Sequence, residues 1–401
     1  LLLFLLIGIF KNVIIGNDVF VSGDALAPQA FKQSINNMKD SQYWFPYIFS
    51  GMPSLHSFIG SSDLYLPNNL ILFMKDLGMP WIWNFMLHYL FGGIGMFMLL
   101  RFLDQNKFSS FFGSALFMIC PYMIAYFVHG HGSQIMTASF IPWIIMFLFK
   151  VFKKSNLINF SILSLLIGLQ LQRGHVQIAY YTWMMIGLYF SVNFITIFII
   201  SKKTKTKDII KKYSFIISSL FLGIMFSMNI YLPVLNYASN SVRGSSSGGY
   251  GIDQATAWSL NFKEFITFII PYFYGFGGTS YWGYLPFTDF ANYIGVVIIL
   301  LAVIGLFKSH LDYEYKLFFF LSILFSLLLS TGKYSTYIYE LFYNYLPYFN
   351  KFRVPIYFLI ISYFSIIVLA SAGLSSFISS LKVKKTLNKN ILLLSIIILF
   401  L

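Results

Sequence analysis

The sequence predicts an all-α, polytopic membrane protein with long external loops. Three observations carry this. Hydrophobic residues fill 58% of the 401 positions and charged residues only 10%, with a mean hydropathy of +0.74, whereas a soluble domain carries about 25% charge. Runs of the length needed to cross a bilayer, about 17 to 25 residues, recur along the chain. The basic residues gather in alternate loops. So little charge cannot cover a water-facing surface, which excludes a cytosolic enzyme, a disordered chain and a secreted disulfide scaffold. Cys120 is the one cysteine, so neither an intramolecular disulfide nor a cysteine metal cluster is expected. It reads as a small buried side chain.

Apolar runs lie at about 1–16, 81–100, 108–128, 135–152, 156–172, 176–200, 213–236, 290–307, 316–330, 354–373 and 391–401. They predict one transmembrane domain, 1–401, of about 10–11 helices. The 316–330 run is short alone and borrows from its neighbours. Both termini fall inside apolar runs, so the sequence reads as a piece of a longer chain. No small-residue cleavage pattern follows the first run, which favours a span over a signal-peptide core. The run FKEFITFIIPYF at 262–273 predicts a short re-entrant or interfacial helix.

With the first span running from inside to outside, the loops at 101–107, 150–154, 201–212, 308–316 and 382–389 face the cytoplasm. They hold 17 of the 27 Lys and Arg residues, as the positive-inside rule requires. This accounts for the net charge of +14 with no nucleic-acid partner. The tract SKKTKTKDIIKK at 201–212 is expected to meet membrane lipids at their anionic headgroups. The internal loops are short. The external segments 17–80 and 237–289 are long and rich in Gly, Pro, Ser, Asn and aromatic residues, and 331–353 is aromatic and basic. Long loops without regular structure are commonly functional. No internal repeat is visible, and SSSGGYG at 245–251 reads as a loop tip.

The first external loop opens IIGNDVFVSGDALAPQAF. Asp24 stands where it would cap a helix starting near Ala25. It also stands just past a span, where a carboxylate can take a proton from an attacking hydroxyl. Asp18 shares that second role or binds a cation. Trp44, Phe45 and Tyr47 suit an interfacial aromatic belt, and short helices on the membrane surface are expected in this loop.

Further along, LQLQRGHVQIAYY at 169–181 sets Arg173, His175 and Gln177 at a membrane edge. Arg173 either snorkels or, with His175, holds a phosphate. His129 and His131 form an HxH pair with no clear third zinc ligand. Arg243 is the single basic residue between Lys212 and Lys263, either a solvated loop residue or a phosphate clamp. Tyr281 and Trp282, between glycines, suit stacking on a sugar or an isoprenoid, and equally suit interface anchoring. Asp289 caps the next helix or joins the site. Lys351 and Arg353 sit at the outer end of a helix, against the charge bias, where anionic headgroups or a phosphate would account for them.

Several short motifs together carry a resemblance. GDA at 23–25 with Gln29, YWFPYIFSGMP at 43–53, GHVQIAYY at 174–181, SVRG at 241–244, YWGYLPFT at 281–288 and FRVP at 352–355 occur in this order. In these the chain resembles the bacterial YfhO-like membrane protein family of the GT-C superfamily of membrane glycosyltransferases. The resemblance covers about 18–373. It implies a GT-C-like bundle in the bacterial inner membrane, with a polyprenyl-phosphate sugar donor and a cell-envelope polymer or lipid acceptor. The superfamily keeps its catalytic acid in the first external loop, which here falls on Asp24, with Asp18 second. Gln29, Arg173, His175, Gln177, Arg243, Tyr281, Trp282, Lys351 and Arg353 are the expected substrate-binding residues. The loop lacks a compact Asp-x-Asp, so neither a cofactor nor a metal is expected, and a divalent cation has no clear ligand set. The extra C-terminal part of longer relatives is missing. Two other readings stay open: a lipid or polymer flippase, and a noncatalytic envelope-assembly protein.

Overall fold

The computed structural model describes residues 1–16, 18, 44–45, 50–53, 64–80, 82–200, 206–241, 251–275, 277–286 and 292–383. Asp24, Gln29, Arg243, Asp289 and the 391–401 run lie outside the described residues.

The chain is an all-α polytopic membrane protein. Helices α1 (Leu2–Ile9) and α2 (Lys11–Ile14) open it, and α3 (Asn68–Asp76) ends the first long loop. The bundle follows: α4 (Trp83–Phe102), α5 (Lys107–Ile119), α6 (Pro121–Val128), α7 (Gly132–Ala138), α8 (Ile141–Lys153), α9 (Leu157–Gln172), α10 (Val176–Ile200), α11 (Thr206–Phe226) and α12 (Met228–Ala238). After α13 (Ile252–Ala255) come α14 (Val296–Lys308), α15 (Tyr313–Ser330), α16 (Thr336–Tyr345) and α17 (Leu359–Val383). The strands among the described residues form one antiparallel pair, Trp44–Phe45 with Met52–Pro53, inside the first loop.

Among the described residues, seven helices are long and apolar enough to cross a membrane, fewer than the expected 10–11. Leu157–Gln172 and Val296–Lys308 are apolar but shorter. At 1.5 Å per residue they reach only about 24 and 20 Å of a hydrocarbon layer near 30 Å. The first run is broken into α1 and α2. The 316–330 run does extend backwards, to Tyr313. The 262–273 run forms a 3₁₀ helix over Phe262–Phe268.

Helix α17 is the centre of the bundle. It packs against α14, α15 and α5, and most of its length is buried. Small residues set these approaches. A methyl on Gly305 would overlap the Leu369 carbonyl, and one on Gly373 the Leu301 carbonyl. Backbones in lipid associate closely where side chains are small. Ser326 and Ser362 join α15 to α17 by a hydroxyl pair at 2.6 Å. On the other flank, α11 packs on α9, with Gly223 against Ile167 and Gly168 against Phe226.

Two spans are interrupted at matching depth. Cys120 separates α5 from α6, with Pro121 opening the second piece. Ser139 and Phe140 separate α7 from α8. Each break lies a little over two helical turns from the shared turn at 129–131. Backbone groups freed inside a membrane need partners. Cys120 Sγ donates to Phe117 O at 3.7 Å, and the buried Gln170 Nε2 donates to Thr137 O at 3.3 Å.

Candidate functional site

The ends of α9, α10, α12 and the residues before α17 meet at one end of the bundle, where the long loops also attach. Helix α9 stops at Gln172, and Gly174, at φ +77°, turns the chain into α10. Glycine adopts this left-handed conformation without steric cost. Arg173 occupies the turn yet is only 7% exposed.

Its surroundings are aromatic. The guanidinium carbon lies 4.7 Å from the centre of the Tyr65 ring. Tyr65 is itself buried at the end of the first external loop. His88 Nδ1 is 2.6 Å from the Asn84 carbonyl and therefore donates to it. In the neutral ring this leaves Nε2 to accept from the Tyr65 hydroxyl at 3.0 Å. Leu66 N–H donates to Gln172 Oε1 at 3.4 Å, and Gln172 Nε2 donates to Phe226 O at 3.3 Å. The end of α9 thus holds both the first loop and the α11–α12 corner.

Arg173 is undercompensated. Its Nε is buried without a hydrogen-bond partner, and among the described residues no carboxylate faces it. Desolvating a guanidinium costs several kcal/mol. A desolvated cation–π contact returns about 2 kcal/mol. Burial pulls the Arg173 pKa down, with Tyr65 acting in the opposite direction. Burial likewise pushes the Tyr65 phenol up, against the Arg173 charge, so the ring stays neutral.

Gln177 links this turn to the third external segment. Its Nε2 donates to Arg353 O at 2.6 Å and to Tyr181 Oη at 2.5 Å. Tyr180 donates to Pro347 O at 2.7 Å. The His175 ring lies 6.0 Å from that of Tyr357. Arg353 is exposed and Lys351 half-buried. Two non-glycine residues with left-handed backbone bracket them, Tyr348 at φ 64° and Val354 at φ 63°. For a β-branched valine this is a strained geometry, of a kind that gathers at functional sites.

The second loop is anchored by a carboxylate. Glu264, 2% exposed, completes a capping box with Asn261 and accepts from Asn261 N–H at 3.1 Å. Its other oxygen accepts from Tyr284 N–H at 3.2 Å and from the Tyr281 hydroxyl. Burial and that bond raise the Tyr281 pKa. Tyr281 therefore spends its hydroxyl on loop structure. Its neighbour Trp282 is 65% exposed, its ring 4.6 Å from that of Tyr274 and 6.1 Å from that of Phe273.

The structure brings Arg173, His175, Gln177 and the Arg353 backbone together. It sets Tyr281 and Trp282 on the second loop, which reaches the same end where Leu260 N–H donates to Ser330 O and Ile356 N–H to Trp258 O. Asp18 is exposed beyond α2. Among the described residues no three His, Cys, Asp or Glu side chains converge as a metal site. Sequence reasoning missed Tyr65, His88 and Glu264 as network members. The signals were there: a histidine within WNFMLHYLFG, since ionisable residues inside spans are functional candidates by default, and the spacing NFKE of a capping box.

No protein-family model, no curated protein and no solved structure matches the chain.

Proposed function

We propose that the chain is an inverting membrane glycosyltransferase with a GT-C-like bundle. It moves a sugar from a polyprenyl-phosphate donor to a cell-envelope polymer or lipid acceptor at the external face of a bacterial cell membrane. The observation that carries this reading is the buried Arg173 guanidinium at the base of the first long loop, which faces no carboxylate among the described residues and whose Nε has no hydrogen-bond partner. A site that holds a bare cation among aromatic rings suits an anionic group delivered from the membrane. The ordered motifs that resemble the YfhO-like family suggest the reaction class.

In this mechanism the Asp24 carboxylate takes the proton of an acceptor hydroxyl. The hydroxyl oxygen bonds to the anomeric carbon as the bond from that carbon to the phosphate oxygen breaks. The lipid phosphate leaves as an anion, and Arg173 holds it by charge-assisted hydrogen bonds. Lys351 and Arg353 steer the donor at the mouth, and Trp282 offers a stacking face. Asp18 supports Asp24 from the same loop.

The test is transfer from a polyprenyl-phosphate sugar in liposomes, alongside a thermal melt. Asparagine still caps a helix but takes no proton. Loss of a general base costs about 10² to 10⁴ in rate. Asp24→Asn should melt normally and lose transfer by at least about a hundredfold. Near-normal transfer would move the role to Asp18, and activity in both variants would end the enzyme reading of this loop.

One observation favours the flippase reading. The breaks at Cys120 and Ser139 give two discontinuous spans at matching depth, as transporters often use. Translocation of a labelled lipid with no acceptor present separates the two.

A further inference from the structure

The Lys-rich end of the bundle, opposite the candidate site, holds an open cavity of about 270 Å³. Its charged lining comes from four places in the chain. Asp104 lies in the α4–α5 turn, Lys153 ends α8, Lys212 lies on α11, and His310 and Asp312 lie in the α14–α15 turn, with Glu314 just beyond them in the first turn of α15. Opposite charges so placed would ordinarily neutralise one another. No ion pair joins these six groups among the described residues.

The floor of the cavity is built. Asn193, buried on α10, donates to Glu314 Oε1 at 2.9 Å. Tyr213 donates to Phe190 O at 3.0 Å and lies 3.4 Å from Asn193 Oδ1. Tyr189, 2% exposed, lines the same wall. Glu314 is thereby fixed, while Asp312 stands at the N-cap of α15 with no capping bond of its own. Phe102, Leu103 and Phe152 supply an apolar side.

Chemistry narrows the ligand. Three carboxylates reject a plain anion. Two lysines disfavour a plain cation. The carboxylates accept hydrogen bonds, which favours a cationic part that carries N–H groups over a quaternary ammonium, which has none. The lysines suit a phosphate. The volume lies near the lower limit of ligand sites, about 300 Å³, and fits a headgroup rather than a whole lipid. The lining sits at the ends of spans, the depth of lipid headgroups.

We infer that this cavity binds a phosphate joined to a primary ammonium, as in the headgroup of an aminophospholipid or in soluble phosphoethanolamine. The ammonium faces Asp104, Asp312 and Glu314, and the phosphate faces Lys153 and Lys212. The inference stands apart from the glycosyl-transfer reading.

The experiment takes the purified full chain, strips it of lipid in detergent, and offers phosphatidylethanolamine, phosphatidylcholine or phosphatidylglycerol in mixed micelles. Retained lipid is counted by mass spectrometry, with soluble phosphoethanolamine as competitor. Phosphatidylethanolamine should be retained at about one per chain and the other two far less. Asp312→Asn and Lys212→Gln should each weaken retention by about tenfold, the worth of one charge-assisted hydrogen bond. If Lys212→Gln does not fold, the exposed Lys153→Gln takes its place. Displacement by phosphoethanolamine supports the headgroup chemistry, and its binding where the lipid fails would assign a soluble source. Equal retention of phosphatidylcholine or phosphatidylglycerol, or native retention by well-folded variants, would overturn the proposal.

Discussion

Arg173 and Tyr65 face each other as cation over ring, 4.7 Å apart, at a point where the end of α9 meets the end of the first external loop. The contact buries a charge that no carboxylate matches among the described residues. Under the proposed reading, function and stability pull in opposite directions at this residue.

Arg173→Met tests that opposition. A buried charge exchanged for an apolar side chain of similar length is often neutral or stabilising, by about 1 to 4 kcal/mol. The variant should melt at or above the native temperature and lose donor use, with KM for the lipid donor raised about tenfold or more. Arg173→Lys should restore only part, because a lysine lacks the planar fork. A lower melting temperature with unchanged donor dependence would make Arg173 a purely structural residue.

Glu264→Gln should destabilise the second loop by about 2 kcal/mol. Glu264 accepts from two backbone N–H groups and one phenol, and a glutamine sets its own donor against one of these donors. Thermal melts of the purified protein provide the measurement, and a change below about 0.5 kcal/mol would remove Glu264 as the anchor.

Tyr348→Gly should stabilise the protein by about 1 kcal/mol. Tyr348 is 66% exposed with φ 64°, and left-handed backbone costs about 1 to 2 kcal/mol in a residue with a Cβ. A melt that falls would show that the ring contributes more than its backbone costs.

Gly305→Leu should separate α14 from α17. Overpacking costs about 1 to 3 kcal/mol, and here the obstacle is the Leu369 backbone carbonyl, which cannot turn aside as a side chain can. Near-native stability in this variant would mean that the two helices slide freely.

Orientation is open to side-selective labelling. A cysteine at Tyr337, 92% exposed on α16, should react with an impermeant reagent from outside, and one at Lys205 only from inside. Cys120 is buried and contributes little background. Reaction at Lys205 from outside would invert the stated topology.

The spans were legible because hydropathy is a local property. α4, α10 and α15 stand where their apolar runs stand. Their lengths were less legible, since α14 begins only after Gly295 at φ 102° and uses less of its run than hydropathy suggests. Arg173 and Gln177 were recognisable as polar residues at a membrane edge. That Arg173 would turn inward under Tyr65 was not, because the partner lies 108 positions earlier in the numbering and no periodicity reports such a distance. Tyr281 read as a ligand-facing ring because its commitment to Glu264 depends on a loop closing on itself. Asp24, Gln29 and Arg243 rest on the sequence alone.

The central place of α17 bears on how the protein is made. Helix α5, one of the neighbours it covers, leaves the ribosome about 240 residues earlier. At about 5 to 20 residues per second that is a wait of roughly 12 to 50 seconds. Through that interval the Gly113 face of α5 has Leu100 of α4 beside it but not yet Ser371. Helix α17 is made after α5, α14 and α15, so a chain released from synthesis before α17 would lack the contacts through which it joins these three helices.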